Sequence, residues 1–263
     1  MKETPELLLI DKPYGITSFD VIRILRRQYK EGRGIFLDEM HPKGTSNDFV
    51  EGALGKVLVG TDTTAATQQV AKKIPRMGHA GTLDPLATGL MIIGVGPGTK
   101  KLAGLVKLDK EYLAEVRIGE SRTTGDLEGE IVESKKVEGL NVESVIEALA
   151  SMVGELALPV SAYSAIKVDG VPMYKRARKA EKTGETIADI PLRAMRVDEA
   201  ELLSYMIDKD RAVATVCFKV GSGTYIRSLA EELGRRLGYP ATLQNLRRTK
   251  VGEFDIKDAQ TLE

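Results

Sequence analysis

The sequence predicts an α/β domain built around a mixed sheet, and three observations predict it. A short apolar run near the start leads through a turn into an amphipathic helix, later segments alternate apolar and polar residues as strands do, and a second strand-turn-helix joint follows near residue 225. With 263 residues, 42% of them hydrophobic, the chain can bury one large core or two modest ones without disulfides or metals to staple it.

In chain order, Glu6 to Ile10 reads as a short buried strand and DKPYG as a turn. Thr17 or Ser18 then caps a helix that turns Val21, Ile22, Ile24 and Leu25 inward. Periodicity fails from Gly32 to about Thr64, where glycine, aspartate and threonine accumulate, before TAATQQVAKK offers a weak helix; about 31–74 reads as an insertion. GLMIIGVG is a buried strand and PGTKKLAGLVK a turn leading into a helix. The glycines of GVGPGTK lack the GxxxxGK[ST] spacing that cradles a phosphate, so this segment reads as a turn.

Further on, YLAEVRIG places Tyr112, Ala114, Val116 and Ile118 on one strand face and Leu113, Glu115 and Arg117 on the other. Asn141 caps a helix to about Met152, and Ala212 to Val220 is a strand. In GSGTYIRSLAEELGRRLG, Ile226, Leu229, Ala230, Leu233 and Leu237 form an apolar helical stripe ended by Gly238. Arg227 falls in that helix's first turn, where a cation opposes the dipole by about 0.3–1 kcal/mol unless an anion lies nearby.

Composition excludes several classes. The 38 basic and 38 acidic residues cancel, so charge alone gives no sign of a nucleic-acid partner and any such site is local. Basic residues do cluster, as Lys175, Arg176, Arg178, Lys179 and Lys182, and again as Arg235, Arg236, Arg247, Arg248 and Lys250. A solvated helix face explains such runs in isolation. The single cysteine, Cys217, excludes a disulfide framework, and the apolar run LLLI is too short for a signal peptide or a membrane span, so a cytoplasmic protein is expected. The two histidines, His41 and His79, share no ligand spacing with Cys217, so no metal is expected.

One segment points to chemistry. GHAGTLDPLATG, from Gly78 to Gly89, sets Asp84 among small and turn-forming residues, and Pro85 biases it away from helix; the loop displays a carboxylate. An Asp-Pro in such a loop is by itself more often a turn or a cap. Asp84 is also the candidate anion for Arg227.

Five further segments change that balance: DKPYGITS, KEYLAEVRIG, YSAIKVDGVPMYKRAR, GTYIRSLAEELG and LRRTKVGEF. With the Asp84 loop, in this order, they resemble the tRNA pseudouridine synthase B family over nearly the whole chain except about 31–74. The resemblance implies the pseudouridine synthase fold, a mostly antiparallel mixed sheet flanked by helices. It implies isomerisation of one uridine in the T-arm of tRNA, at position 55, without cofactor or metal.

It further implies Asp84 as the essential residue, as nucleophile or as base. Arg227 would hold it charged and oriented, and Tyr112 would stack on the uracil or take its C5 proton. Tyr225 would offer a second stacking face. His79 would contact the RNA where the flipped base has left, and Leu246 would pack on that base. Lys167, Arg247 and Arg248 would meet phosphates, and DKPYGITS would support the catalytic loop. A stand-alone monomer acting without an obligatory protein partner or a membrane is the expectation. Relatives commonly carry a small C-terminal RNA-binding domain, expected to be absent here. The rival readings are a guide-RNA-dependent synthase of the dyskerin type and an RNA-binding or tRNA-folding module. A glycoside hydrolase, which usually needs two carboxylates, finds no evident second acid in these motifs.

Overall fold

Leu7–Lys12 alternates half-buried and buried residues and forms the first strand, β1. The computed structural model describes residues 6–31, 50–52, 55–57, 74–164, 166–183 and 190–262. They fall into two units, Met1–Val106 with Asp255–Glu263, and Lys107–Phe254. Most of the insertion at about 31–74, with its weak helix, lies outside the described residues; within it, β2 (Val50–Gly52) and β3 (Gly55–Val57) pair as a hairpin.

In the first unit, α1 (Ser18–Glu31) follows the DKPYG turn. Thr17 is its cap: the Asp20 amide donates to Thr17 Oγ1 (3.1 Å), and the Thr17 amide donates back to Asp20 Oδ2 (2.9 Å), a reciprocal box that satisfies donors the first turn leaves open. Val21, Ile22, Leu25 and Tyr29 are buried, whereas Ile24 lies at the edge of that face and is half-buried. β4 (Met77–His79) and β5 (Thr88–Val95) follow. β5 pairs antiparallel with β1 (Ile10 opposite Met91) and with β4 (His79 opposite Ile93), and all its residues after Thr88 are buried, on both faces, which accounts for its almost wholly apolar sequence.

The GVGPGTK turn is a 3-10 segment over Gly96–Lys100, followed by the short α2 (Leu102–Leu105). Its glycine is there for packing: a Cβ on Gly98 would lie 1.9 Å from the Glu6 carbonyl oxygen.

The second unit begins with β6 (Lys110–Ile118), then a hairpin of β7 (Glu120–Arg122) and β8 (Ile131–Ser134). Next come α3 (Val142–Ser151), β9 (Gly154–Pro159) and a small hairpin of β10 (Lys167–Val168) and β11 (Val171–Pro172). The unit continues with α4 (Met173–Thr183), β12 (Leu192–Asp208), β13 (Arg211–Val220), α5 (Ile226–Leu237) and β14 (Ala241–Val251). Through β15 (Phe254–Asp255) the chain returns to the first unit, where β16 (Gln260–Thr261) pairs parallel with β1.

The second unit's strands run antiparallel in the order β14, β6, β13, β12, β9. As its alternation requires, β6 buries Tyr112, Ala114, Val116 and Ile118. Facing them on the same side are Ala214, Val216 and Phe218 of β13 and Leu243 and Leu246 of β14. α5 covers this face with Ile226, Leu229, Ala230 and Leu233, and ends at Gly238 in the left-handed conformation. Each fully buried Leu or Phe stabilises the fold by about 1.5–3 kcal/mol. α3 packs on β12, with Asn141 Oδ1 accepting the Ser144 amide at 2.9 Å as its cap.

Candidate active site

Asp84 lies half-buried in the loop between β4 and β5. Gly81 (φ 107°) and Gly89 (φ 102°) occupy conformations that L side chains avoid, and between them Ala87 N donates to Asp84 O at 3.1 Å, a tight turn. The residues on either side of Asp84 are tied to the start of the chain. Ser18 Oγ donates to Leu83 O (3.0 Å) and accepts from Leu83 N (2.8 Å), both buried. On the other side, Pro85 O accepts from Gly15 N (2.9 Å) and from Lys12 Nζ (3.2 Å).

Lys12 is wholly buried, its ammonium also bonded to the carbonyls of Pro13 (2.9 Å) and Ile16 (2.7 Å). The lysine that stands out in DKPYGITS is therefore a structural clasp. Three carbonyl dipoles converge on one charge and fix the backbone that carries Asp84. His79, at the end of β4, is half-buried in the same unit.

The remaining predicted residues belong to the second unit. Arg227 is 5% exposed in the first turn of α5. Nη1 donates to Thr124 O (2.9 Å), Nη2 to Tyr163 O (3.3 Å), and Nε lies 3.9 Å from Asp126 Oδ2. Asp126, 2% exposed, was not singled out by the sequence. It sits in the loop between β7 and β8, accepting from Thr124 Oγ1 (2.5 Å) and from Glu128 N (3.1 Å). The loop is docked on β14 through Leu243 N to Gly125 O at 2.9 Å.

Glu231, one turn along α5 from Arg227, keeps solvent over part of its side chain. Loss of water around its carboxyl raises its pKa, Arg227 opposes that rise, and Asp126 adds to it. Two acids thus flank Arg227 within this unit. The residues TTGD and EEL that bring them carry no spacing signal, because the loop and helix meet only in three dimensions.

Tyr112 is buried on β6, directly opposite Arg248 of β14, while Leu246 stands opposite Ala114 on the same face. Arg248 is 1% exposed and faces the interior, in contrast to the surface phosphate contact expected of it. Arg247, on the other face opposite Leu113, is half-buried. Near them Lys110 is held down to about 8, first by burial and then by the Arg248 charge, with Asp109 opposing.

Tyr225 is half-buried at the residue before α5, and Lys167 is exposed on the β10–β11 hairpin. Arg176 braces that hairpin, donating to Val168 O at 2.6 Å and pairing with Asp169 at 2.9 Å. Other members of the late basic cluster are engaged: Arg235 and Arg236 both pair with Glu232 (2.6 and 2.7 Å), and Lys250 with Glu111 (3.4 Å). Among the described residues no three His, Cys, Asp or Glu side chains gather as a metal site, and no helix is long and apolar enough to cross a membrane.

A strand-rich fold with a carboxylate displayed on a clasped loop is the setting in which known proteins resemble this chain. The model of the TruB family pseudouridylate synthase N-terminal domain matches residues 68–226, and that of the tRNA pseudouridylate synthase B C-terminal domain matches 227–263. A protein named tRNA pseudouridine synthase B from Leifsonia xyli subsp. xyli is 38% identical over 259 residues, 97% of this chain and 70% of the relative. One of the same name from Corynebacterium efficiens is 36% identical over 253 residues, 96% of this chain and 69% of the relative.

Among solved structures, a Cbf5-Nop10-Gar1 complex superposes with a TM-score of 0.58 at 19% identity, covering 97% of this chain and 52% of that one. An H/ACA ribonucleoprotein bound to a substrate RNA containing 2'-deoxyuridine gives 0.56 at 20%, covering 97% and 50%. These two share the fold. The chain belongs to the TruB family of pseudouridylate synthases.

Proposed function

We propose that this protein isomerises uridine to pseudouridine in the T-arm of tRNA, at position 55, with Asp84 as its essential residue. The observation that carries the reading is the clasped Asp84 loop in a chain of this family: Ser18, Gly15 and Lys12 hold the residues before and after the carboxylate. Pseudouridine forms when the bond from ribose C1′ to uracil N1 breaks, the base turns, C1′ joins C5, and the C5 proton is lost while N1 gains one; atoms and charge balance without a co-reactant.

Whether Asp84 adds to C1′ or to C6, or removes the C2′ proton, its carboxylate must be ionised. Arg227 supplies the compensating cation, its guanidinium oriented by Thr124, Tyr163 and Asp126. Tyr112 and Tyr225 receive the base, Leu246 packs on it, and His79 meets the RNA at the place the base has left, offsetting some of the few kcal/mol that flipping costs. Lys167 and Arg247 meet phosphates, and Arg248, buried beside Tyr112, positions it. The enzyme acts in the cytoplasm as a monomer on naked tRNA.

Purified protein and its Asp84→Asn variant, incubated with unmodified tRNA transcript, test this by chemical adduct mapping with primer extension. A single stop in the T-arm given by wild type alone is expected. No stop despite tRNA binding would overturn the reading in favour of a guide-dependent or binding-only protein.

A further inference from the structure

The face of α1 turned away from the core is not used by the site above. Phe19, Arg23, Arg26 and Lys30 follow at intervals of four, three and four residues, so they share one side of the helix, with Arg27 beside them. Phe19 is 62% exposed, and Tyr14, on the turn just before the helix, is 64% exposed. A single exposed aromatic is ordinary, but here two lie five residues apart in sequence, beside the cations of the same helix. Arg23 pairs with Asp20 and Arg27 with Glu31 (3.0 Å) along the helix, exposed pairs that contribute little and yield readily to a stronger anion. Arg26 and Lys30 are exposed and make no ion pair among the described residues.

At 1.5 Å per residue the stripe from Phe19 to Lys30 runs about 17 Å, long enough to follow a polynucleotide strand past several phosphates. Its start is fixed to the catalytic loop, since Ser18, adjacent to Phe19, clasps Leu83, and Gly15, adjacent to Tyr14, donates to Pro85. Aromatics at the loop followed by cations leading away suit a strand whose bases stack first and whose backbone then tracks along the helix.

We propose that Tyr14, Phe19 and the basic face of α1 form an RNA-binding track that holds the tRNA strand flanking the target uridine. This rests on the reading that tRNA is the substrate. The charge of the chain as a whole is zero, so the track supplies locally an attraction that composition does not.

The test measures the Kd of unmodified tRNA across a salt series for wild type, for Arg26→Glu with Lys30→Glu, and for Tyr14→Ala with Phe19→Ala. All four positions are exposed, and unfolding midpoints check that the fold is retained. Charge reversal should weaken binding about tenfold or more at low salt and lower the slope of log K against log salt by about 1–2. The aromatic pair should weaken it about 5- to 30-fold with the slope unchanged.

Wild-type Kd and slope in both variants would overturn the track, as would absence of tRNA binding by wild type. Because the readout is binding, a wild type that binds tRNA but forms no pseudouridine refutes the catalytic reading while the track is still scored.

Discussion

Replacing Ser18 by Ala probes the clasp on the Asp84 loop in isolation. Thr17 is the helix cap, and alanine is a good helix former, so the change leaves α1 itself intact. What it removes is the pair of buried hydrogen bonds to Leu83, at 3.0 and 2.8 Å. Two net hydrogen bonds are worth about 1 kcal/mol each, and orphaned buried groups add to that, giving a loss of about 2–4 kcal/mol. For a chain of this size that corresponds to a midpoint lower by about 5–15 °C.

Asp84 is the next residue, so the same change loosens the carboxylate. A displacement near 1 Å costs about a hundredfold in rate. Calorimetry and single-turnover pseudouridine formation read the two effects. A midpoint within about 1 °C of wild type together with an unchanged rate would refute the clasp.

Gly98→Ala drives a methyl group into the Glu6 carbonyl and should destabilise by about 3 kcal/mol in urea unfolding; an unchanged midpoint contradicts the packing described. Arg227→Lys keeps the charge but cannot reproduce the fork to Thr124 and Tyr163, so kcat should fall about a hundredfold, and wild-type turnover would remove Arg227 from its orienting role. Asp126→Asn should cost turnover in the same direction, read in the same assay, because it takes away the carboxylate beside Nε.

Lys110 titrates at about 8 when folded against 10.5 otherwise, so between these values the unfolded state binds more protons and stability rises with pH. Removing the group as Lys110→Met abolishes that rise. The stability of the variant minus that of wild type should therefore shrink by up to about 3 kcal/mol from pH 8 to 10.5. A difference constant across that window, measured by urea unfolding at each pH, is the contrary result.

The parts of this protein that were legible in one dimension are those governed by a repeat along the chain. Alternation along β6 assigned Tyr112 to the core face, the stripe of α5 assigned Leu229 and Leu233 inward, and Asn141 and Gly238 marked helix ends, because period and cap chemistry act within a few residues. The turn that carries Asp84 was legible for the same reason, since Gly81, Pro85 and Gly89 act locally, whereas the half-burial of its side chain was not. The pairing of β14 is regular from Asn245 to Arg248, so Arg248 shares the inward face of Leu246; the sequence did not announce this because a buried cation depends on partners that only the fold supplies.

By itself the sequence determined β1, β5, β6 and β13, the helices α1, α3 and α5 with their caps, and the carboxylate-bearing loop, since backbone sterics and hydrophobic periodicity operate on neighbours; β9, β12 and β14 were not read from it. Tertiary structure alone decided that Ser18 and Lys12 close on Leu83 and Pro85, and that Asp126 meets Arg227. Such pairings join residues far apart in the chain, where no period connects them. They form because burying a polar group or a charge is favourable only when the fold brings it a partner.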